Sequence, residues 1–273
     1  MMKNSVRITN KTIVALYFIV FLIIFVSYVS AAPPSFREVD MVEFHSKGLM
    51  SLGVEDLSYN NLVEVLSKTE NAAVKFHIIY LFGEKGLKES IPIIIPFLND
   101  KDINIRIAAA NALSMLGDMQ GVPVLEKICE ENPADLKCLD AAGALAEKSN
   151  LKAYVYLKKF IKSNNEGLRS GALNHMKTLA EKIEKTNPEQ SMAILDDMIT
   201  VLSEDEDASV KEHAIWLLGG IKVNNKKHVI ERLNELKVKF KTKAINTKIL
   251  QQIDSVIEHL ELKEKQKLEE NHR

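Results

Sequence analysis

The sequence predicts an all-α protein built as an array of paired helices, and three observations indicate this fold class. Ala, Leu, Ile, Lys and Glu dominate the composition, and these residues are compatible with helices. Gly and Pro are few, 11 and 7 among 273 residues, and they stand at intervals that suit short turns. Apolar residues at helical spacing recur with a period of about 31 residues, which is typical of two-helix repeats.

Five copies of this pattern follow one another from residue 72 onward. Each copy opens a first helix around one marker position, and the markers are separated by 31, 32, 31 and 42 residues: Lys75, Arg106, Cys138, Arg169 and Lys211. The long last interval predicts an expanded fourth repeat. Glycines near the ends of the first helices predict left-handed C-caps, and Pro92 and Pro123 predict the first turn of a second helix.

Two stretches of the second copy carry a family resemblance. Residues Arg106–Asp118, followed by Val122–Leu125, closely resemble the short bacterial HEAT repeat of the phycobilisome-lyase-like subtype. Lys75–Leu98 is a second good copy and Val210–Leu233 a degraded one, so the resemblance covers roughly residues 60–240. The resemblance implies a right-handed superhelical solenoid of paired antiparallel helices. It is specific for fold and carries little about function.

The first 31 residues have the parts of a secretory signal peptide. Three basic residues and no acid precede an uncharged apolar run, and Val29 and Ala31 fit the small residues of a cleavage site after Ala31. An uncleaved membrane anchor is the alternative, because the apolar stretch 12–29 is near the lower limit for spanning a bilayer. A buried cytosolic helix is a third possibility. Both leading interpretations place the rest of the chain outside the cytoplasm, periplasmic or secreted.

The predicted organisation has four segments. Residues 1–31 form the signal peptide or anchor and residues 32–35 a linker. Residues 36–262 form the HEAT-like solenoid, with about five to six helix pairs, and 263–273 a charged flexible tail. Without residues 1–31 the chain has 33 basic and 37 acidic residues, a net charge of −4. This balance argues against a nucleic-acid partner.

The sequence does not indicate a catalytic, metal or cofactor site. The seven histidines are scattered, no His-Glu dipeptide occurs, and nothing has zinc-ligand spacing or the pattern of a phosphate-binding loop. We therefore expect no catalytic residues, no metal, no cofactor and no small-molecule substrate. A lyase-like activity remains the alternative that the family resemblance offers, although the repeat occurs in many proteins that are not enzymes.

Cys129 and Cys138 are the only cysteines and flank the turn between two repeats. Outside the cytoplasm such a pair could form a disulfide, and two buried free thiols are the alternative. Arg106 and Arg169 occupy the same repeat position. Basic residues there are expected to pair with acids of the adjoining turn, such as Asp102 or Asp118, and so to join repeats.

The polar positions of the second helices are the predicted contact surface, since second helices are expected to line the concave face of such a solenoid. The charges on this face change sign along its length, which favours a protein or peptide partner over a polyanion, and a solvated face is the alternative. The predicted partner-binding residues are Glu126, Lys127, Lys158, Lys159, Lys162, Asp196, Asp197, Glu231, Arg232 and Glu235. The chain is thus predicted to be an exported scaffold or adaptor. The alternatives are a lyase-like enzyme and a membrane-tethered structural protein of the cell envelope.

Overall fold

The computed structural model describes residues 40–242 and 247–271. The predicted signal peptide or anchor and the linker lie outside these residues. The chain divides into two compact units, residues 1–44 and residues 45–273. In the first unit, residues 40–44 contain the start of a helix, where the Asp40 carboxylate accepts a hydrogen bond from the Glu43 amide at 3.0 Å.

Thirteen α-helices, two short 3₁₀ helices and no strand make up the described residues. The 3₁₀ helices span Lys88–Ser90 and Ile95–Asn99. The α-helices are α1 Met41–Ser51, α2 Tyr59–Lys68, α3 Ala72–Glu84, α4 Ile91–Ile94, α5 Ile103–Met115, α6 Val122–Glu131, α7 Leu136–Glu147, α8 Lys152–Phe160, α9 Glu166–Ile183, α10 Pro188–Glu204, α11 Ala208–Gly219, α12 Lys226–Thr242 and α13 Thr247–Asn271.

The helices of the second unit pack as two rows. The first row consists of α3, α5, α7, α9, α11 and α13, and each of these helices packs directly against the next. The second row consists of α6, α8, α10 and α12. Helices α6, α8 and α10 each pack against the first-row helices on either side of them in the chain, and α12 packs against α10 and α13. This arrangement confirms the predicted all-α fold of HEAT-like helix pairs.

Similar side chains begin the first-row helices. The side chains of Asn71, Asp102, Asp135 and Asn165 accept hydrogen bonds from backbone amides of the first turn, at 2.8–3.1 Å for the shortest in each. The cap at Asp135 puts Leu139, and not Cys138, at the third marker position. The predicted register of this repeat was therefore wrong by one residue. Ala141 and Ala142 are both fully buried, so the apolar pattern fits either register.

Helices α3 and α5 end with a left-handed glycine, as predicted, and α11 does not, because the φ of its C-cap Gly220 is −89°. Gly86 and Gly117 adopt φ of 66° and 86°, the left-handed conformation of a helix C-cap, and Ser149 takes the same role with φ of 59°. Pro92 and Pro123 lie in the first turn of α4 and α6, as predicted. The helix that begins near Pro92 is short, because Pro96 has no amide hydrogen and the chain continues as a 3₁₀ helix.

Gly83 allows a close approach between the backbones of two first-row helices. A Cβ at this position of α3 would lie 2.9 Å from the Ala112 Cα of α5, a distance that real side chains do not tolerate. Ala108, Ala109 and Ala112 are fully buried on the facing helix. Small residues on both sides therefore bring the two backbones together.

Arg106 was predicted to pair with Asp102 or Asp118, and its guanidinium has other partners. It donates to the backbone carbonyls of Asp100 and Lys101, at 2.9 and 3.2 Å, in the loop before its own helix. The Asp102 carboxylate is already used as the N-cap of α5. Arg106 therefore fixes its own loop.

Arg169 joins repeats, as predicted for this position, but through different acids. Its Nε and Nη2 donate to the Asp205 carboxylate at 2.7 and 3.0 Å, and Nη2 also contacts Asp207. Its Nη1 donates to the Ser163 carbonyl at 2.7 Å. The arginine thus clamps the loop before α9 to the loop before α11, with only 9% of its side chain exposed.

The predicted flexible tail is helical in its described part. Helix α13 continues past Leu262 to Asn271. Glu264 lies 3.6 Å from the Lys226 ammonium, and the Lys267 ammonium donates to the Asn224 side chain at 2.9 Å. These contacts with the first residue of α12 and with the loop before it hold residues that the charge pattern alone predicted to fray.

Candidate protein-binding surface

The predicted contact residues on the second row form ion pairs between repeats. The Glu126 carboxylate of α6 accepts from the Lys152 ammonium of α8 at 2.6 Å and from the Asn150 side chain at 3.3 Å. Both partners belong to the next repeat, 24 and 26 residues along the chain. Glu126 therefore connects α6 to the start of α8.

A second connection joins α8 to α10. The Lys158 ammonium lies 3.0 Å from the Asp197 carboxylate and 5.1 Å from the centre of the Tyr154 ring. The Tyr154 hydroxyl donates to the same carboxylate at 2.6 Å. Burial and this hydrogen bond raise the pKa of Tyr154, so its hydroxyl keeps the proton that it donates.

A third connection joins α10 to α12. The Asp196 carboxylate lies 2.8 Å from Arg232 Nε and 3.1 Å from His228 Nε2. Arg232 also contacts Glu235 one turn later on its own helix. The alternating signs along the second row are thus complementary to each other from one repeat to the next.

The remaining four predicted residues are more exposed. Lys127 and Glu231 form pairs within their own helices, each at 3.7 Å, with Glu131 and Lys227 respectively. Lys159 lies over the Tyr156 ring at 5.9 Å, and Lys162 is exposed just beyond the end of α8. A partner role for all ten residues remains a prediction. The structure gives six of them a part in connecting repeats or in supporting such a connection.

The first row carries a second polar surface, which the sequence analysis missed. The Asn111 side-chain amide of α5 donates to the Tyr80 hydroxyl of α3 at 2.9 Å. Burial raises the pKa of Tyr80 to about 12, and the nearby carboxylates of Asp140 and Glu84 add to the shift. Tyr80, Asn111 and the exposed Asp140 therefore lie close together across three successive first-row helices.

The same surface continues at the other end of the row. The Asn174 Oδ1 of α9 lies 3.1 Å from His213 Nε2 of α11, and the His213 ring stacks on the Trp216 ring, with centroids 5.9 Å apart and planes at 23°. Trp216 is 49% exposed. We call Tyr80, Asn111, Asp140, Asn174 and Trp216 the first-row surface.

Four of these five residues occupy one repeat position. Tyr80, Asn111, Asn174 and Trp216 each stand nine residues after the N-cap of their helix, and the N-caps are Asn71, Asp102, Asn165 and Asp207. Counting from these caps in the sequence would have placed all four on one face. An aromatic residue within an apolar helix pattern is usually a core residue, which is why Trp216 gave no signal by itself.

Histidines fill the gaps between first-row helices. His45 and His77 face each other with Nδ1 atoms 3.0 Å apart, so one ring must be the donor and the other the acceptor. Burial and the neighbouring His77 lower the pKa of His45 to about 4. The His175 ring lies against Gly143 of α7, where a Cβ would be 2.4 Å from the ring, and burial lowers its pKa to about 4. The rings of His45 and His175 are therefore neutral at physiological pH.

The two cysteines lie side by side as buried free thiols. The Cys129 Sγ is 3.1 Å from the Cys138 carbonyl oxygen. Hydrogen bonding to the Cys138 side chain, together with burial, raises the pKa of Cys129. The structure has the alternative that the sequence left open, two free thiols, and the possible disulfide between them is not formed.

No group of three or more His, Cys, Asp or Glu side chains that could hold a metal occurs within 40–242 and 247–271. A cleft of about 200 Å³ lies beside Glu184, Met192, Leu195 and Asn225, and it is smaller than most small-molecule sites. None of the described helices has the length and apolar composition needed to cross a bilayer. The possible tether at 12–29 lies outside the described residues.

Comparison with known proteins agrees with the repeat assignment. Residues 59–146 match the family model of HEAT repeats. The solved complex of CpcE and CpcF of phycocyanin lyase from Nostoc sp. PCC7120 is similar at 17% identity and a TM-score of 0.43, covering 94% of this chain and 97% of that chain. Two engineered proteins are similar at 17% and 15% identity, with TM-scores of 0.41 and 0.44, covering 74% and 81% of this chain and 95% and 62% of theirs. No curated protein sequence gives a significant match.

Proposed function

We propose that this chain is an exported HEAT-repeat scaffold that binds a protein or peptide partner, and that the partner contacts the first-row surface. The observation that carries the proposal is the half-exposed Trp216, held in place by its stack on His213. Tryptophan is among the residues that contribute most to protein interfaces. A ring that is already ordered loses less conformational entropy when a partner covers it.

The charges on the two rows support the same choice. Interface cores are depleted in charged residues and enriched in aromatic residues. Tyr80 and Trp216 contact asparagine and histidine side chains, with the Asp140 carboxylate also near Tyr80, whereas the second row presents charges that already pair with each other. A partner on the second row would have to replace those ion pairs or leave them at its rim, where they add little affinity.

Photo-crosslinking in the native host tests the surface. A photoreactive amino acid would replace Trp216 or Asp140 on the first row, and Lys127 or Glu231 on the second row as matched exposed controls. We expect the same protein to be captured from both first-row positions and from neither second-row position. Capture from the second row alone would show a scaffold with a different contact face. Capture from none of the four would contradict the scaffold proposal.

The captured partner then allows a direct measurement. The chain contains one tryptophan, so the tryptophan emission of this chain comes from Trp216 alone once the emission of the partner by itself is subtracted. We expect partner binding to shift this emission, and Trp216→Ala to weaken affinity by at least about tenfold. Val155→Ala, which removes a side chain that is 59% exposed on the second row, is the control and should leave affinity unchanged.

Export rests on the residues before the described part of the chain. Cleavage after Ala31 predicts a mature protein that begins at Ala32 and is recovered from the envelope or the medium. N-terminal sequencing of the fractionated protein measures this. An intact Met1 in the membrane pellet would contradict cleavage and support a tethered protein instead.

A further inference from the structure

Basic residues near the start of first-row helices link one repeat to the next. Lys75 stands four residues after its N-cap, and its ammonium lies 3.7 Å from Asp100, two residues before the next N-cap. Arg169 and Asp205 have the same two positions and a separation of 2.7 Å. These pairs bridge the junctions between α3 and α5 and between α9 and α11.

The junction between α5 and α7 has no such pair. The basic residue is present as Arg106, but the position two residues before the next N-cap is Pro133. Arg106 turns back to the carbonyls of its own loop. At this repeat position, therefore, no ion pair connects the two helices.

The cysteine pair lies between the same two repeats, across the turn from α6 to α7. Cys129 is in α6 and Cys138 in α7, on either side of a turn in which the Asp135 amide donates to the Asn132 carbonyl at 3.1 Å. Both side chains are fully buried, and the Cys129 Sγ reaches the Cys138 carbonyl. The two thiols are each other's main influence on ionisation: the Cys138 side chain raises the pKa of Cys129, and the Cys129 side chain lowers that of Cys138.

We propose that Cys129 and Cys138 form a disulfide while the chain folds, and that this covalent bond joins α6 to α7, between the two repeats whose first-row helices α5 and α7 lack the ion pair. The oxidant is a disulfide compound, such as an oxidising compartment provides. The proposal does not depend on partner binding. It also concerns the folding step, because two fully buried thiols are poorly accessible to an oxidant once the chain is folded.

The reaction balances as two thiol–disulfide exchanges. The Cys138 thiolate attacks one sulfur of the oxidant, forms a mixed disulfide and releases the first thiolate. Cys129 then loses its proton, attacks the Cys138 sulfur and releases the second. Two protons and two electrons leave the protein, and the oxidant ends as two thiols.

Refolding the full chain tests bond formation directly. The denatured, reduced protein would be refolded with oxidised and reduced glutathione, alkylated, and digested with trypsin without reduction. Cleavage after Lys127, Lys137 and Lys148 puts the two cysteines into separate peptides, 128–137 and 138–148. We expect these peptides to be recovered as one linked species that separates on reduction. Recovery of both peptides unlinked and alkylated would overturn the proposal.

Thermal unfolding tests the role of the bond at the junction. We expect the oxidised protein to melt about 5 °C or more above the reduced protein. Cys138→Ala is the control, and glutathione composition should not change its melting temperature. A linked protein that melts at or below the temperature of the reduced form would show that the bond does not support the junction. The comparison between oxidised and reduced wild type needs no variant and holds even if Cys138→Ala folds poorly.

Discussion

The two rows of helices are held together by different sets of interactions. In the first row, Gly83 and Gly143 let neighbouring helices or histidine rings come within contact of the backbone, neutral histidines lie between helices, and the nearly buried pair of Arg169 and Asp205 joins two repeats. In the second row, the helices are connected by ion pairs with half-exposed partners, such as Lys158 with Asp197. We infer that close packing sets the stability of the array, and that the second row contributes weaker, salt-sensitive connections.

This difference also separates the two possible binding faces. The second-row charges are satisfied within the chain, so a partner gains little by meeting them. The first row offers ordered aromatic and amide side chains whose rearrangement on binding is small. The predictions below test how far stability follows the first row and its loops and how little it follows the second row.

The largest effect is expected at the clamp formed by Arg169. Arg169→Ala leaves the nearly buried Asp205 carboxylate without its bidentate partner, and we expect the free energy of unfolding to fall by about 3 kcal/mol. Arg106→Ala is the matched control at the same repeat position. It removes hydrogen bonds to two carbonyls of its own loop, and about 1 kcal/mol should be lost. Urea denaturation measures both, and equal losses would contradict a special role for the inter-repeat clamp.

The next effect is a dependence of stability on pH. The pKa of His175 is lowered from 6.5 in the unfolded chain to about 4 in the folded one. Between these values the unfolded chain binds a proton that the folded chain does not, so stability falls as the pH drops from about 6.5 towards 4. The full shift implies roughly 3 kcal/mol, and partial exposure of the ring reduces the expected loss to about 2 kcal/mol.

His175→Gln isolates this contribution. Carboxylates titrate in the same range in both proteins, so their contribution cancels in the comparison. We expect the difference in unfolding free energy between wild type and variant to shrink by about 2 kcal/mol from pH 7 to pH 4. A constant difference across this range would show that His175 is not held neutral by the first row.

A smaller effect is expected where two first-row helices approach closely. Gly83→Ala places a methyl group 2.9 Å from the Ala112 Cα, and the helices must separate to accommodate it. We expect a net loss of about 1–2 kcal/mol after the gain in helix propensity. Gly167→Ala is the control in the first turn of α9, where a Cβ would meet only the Asn165 side chain. We expect Gly167→Ala to leave stability unchanged or raised, and an equal result for Gly83→Ala would show that the close approach does not limit stability.

The sequence contained enough to predict the repeats and too little to predict their cross-contacts. Helix starts and ends depend on neighbouring residues, so the prolines and the glycine C-cap at Gly117 were readable from local patterns, and the Asn and Asp caps could have been read in the same way. The predicted register of the third repeat was wrong by one residue, because Ala141 and Ala142 are both buried and local spacing cannot choose between them.

The pairing of surface charges has a different origin. The partners of Glu126, Lys158 and Asp196 lie 24 to 39 residues away, and only the stacking of repeats brings them together. Local patterns correctly placed these residues on second helices, where Lys158 is exposed and Glu126 and Asp196 are half-buried. They could not distinguish a surface waiting for a partner from one whose charges pair with each other.

The smallest effect is expected in the second row. Asp197→Asn weakens the contacts with Lys158 and Tyr154, which are only partly buried, and we expect a loss below about 1 kcal/mol. Added salt screens this pair, so the loss should shrink further in 1 M NaCl, whereas the loss in Arg169→Ala should persist because its partner Asp205 is nearly buried. Urea denaturation of both variants at low and high salt provides the comparison. A loss at Asp197 as large and as salt-resistant as that at Arg169 would mean that the second row stabilises the array as strongly as the clamp does.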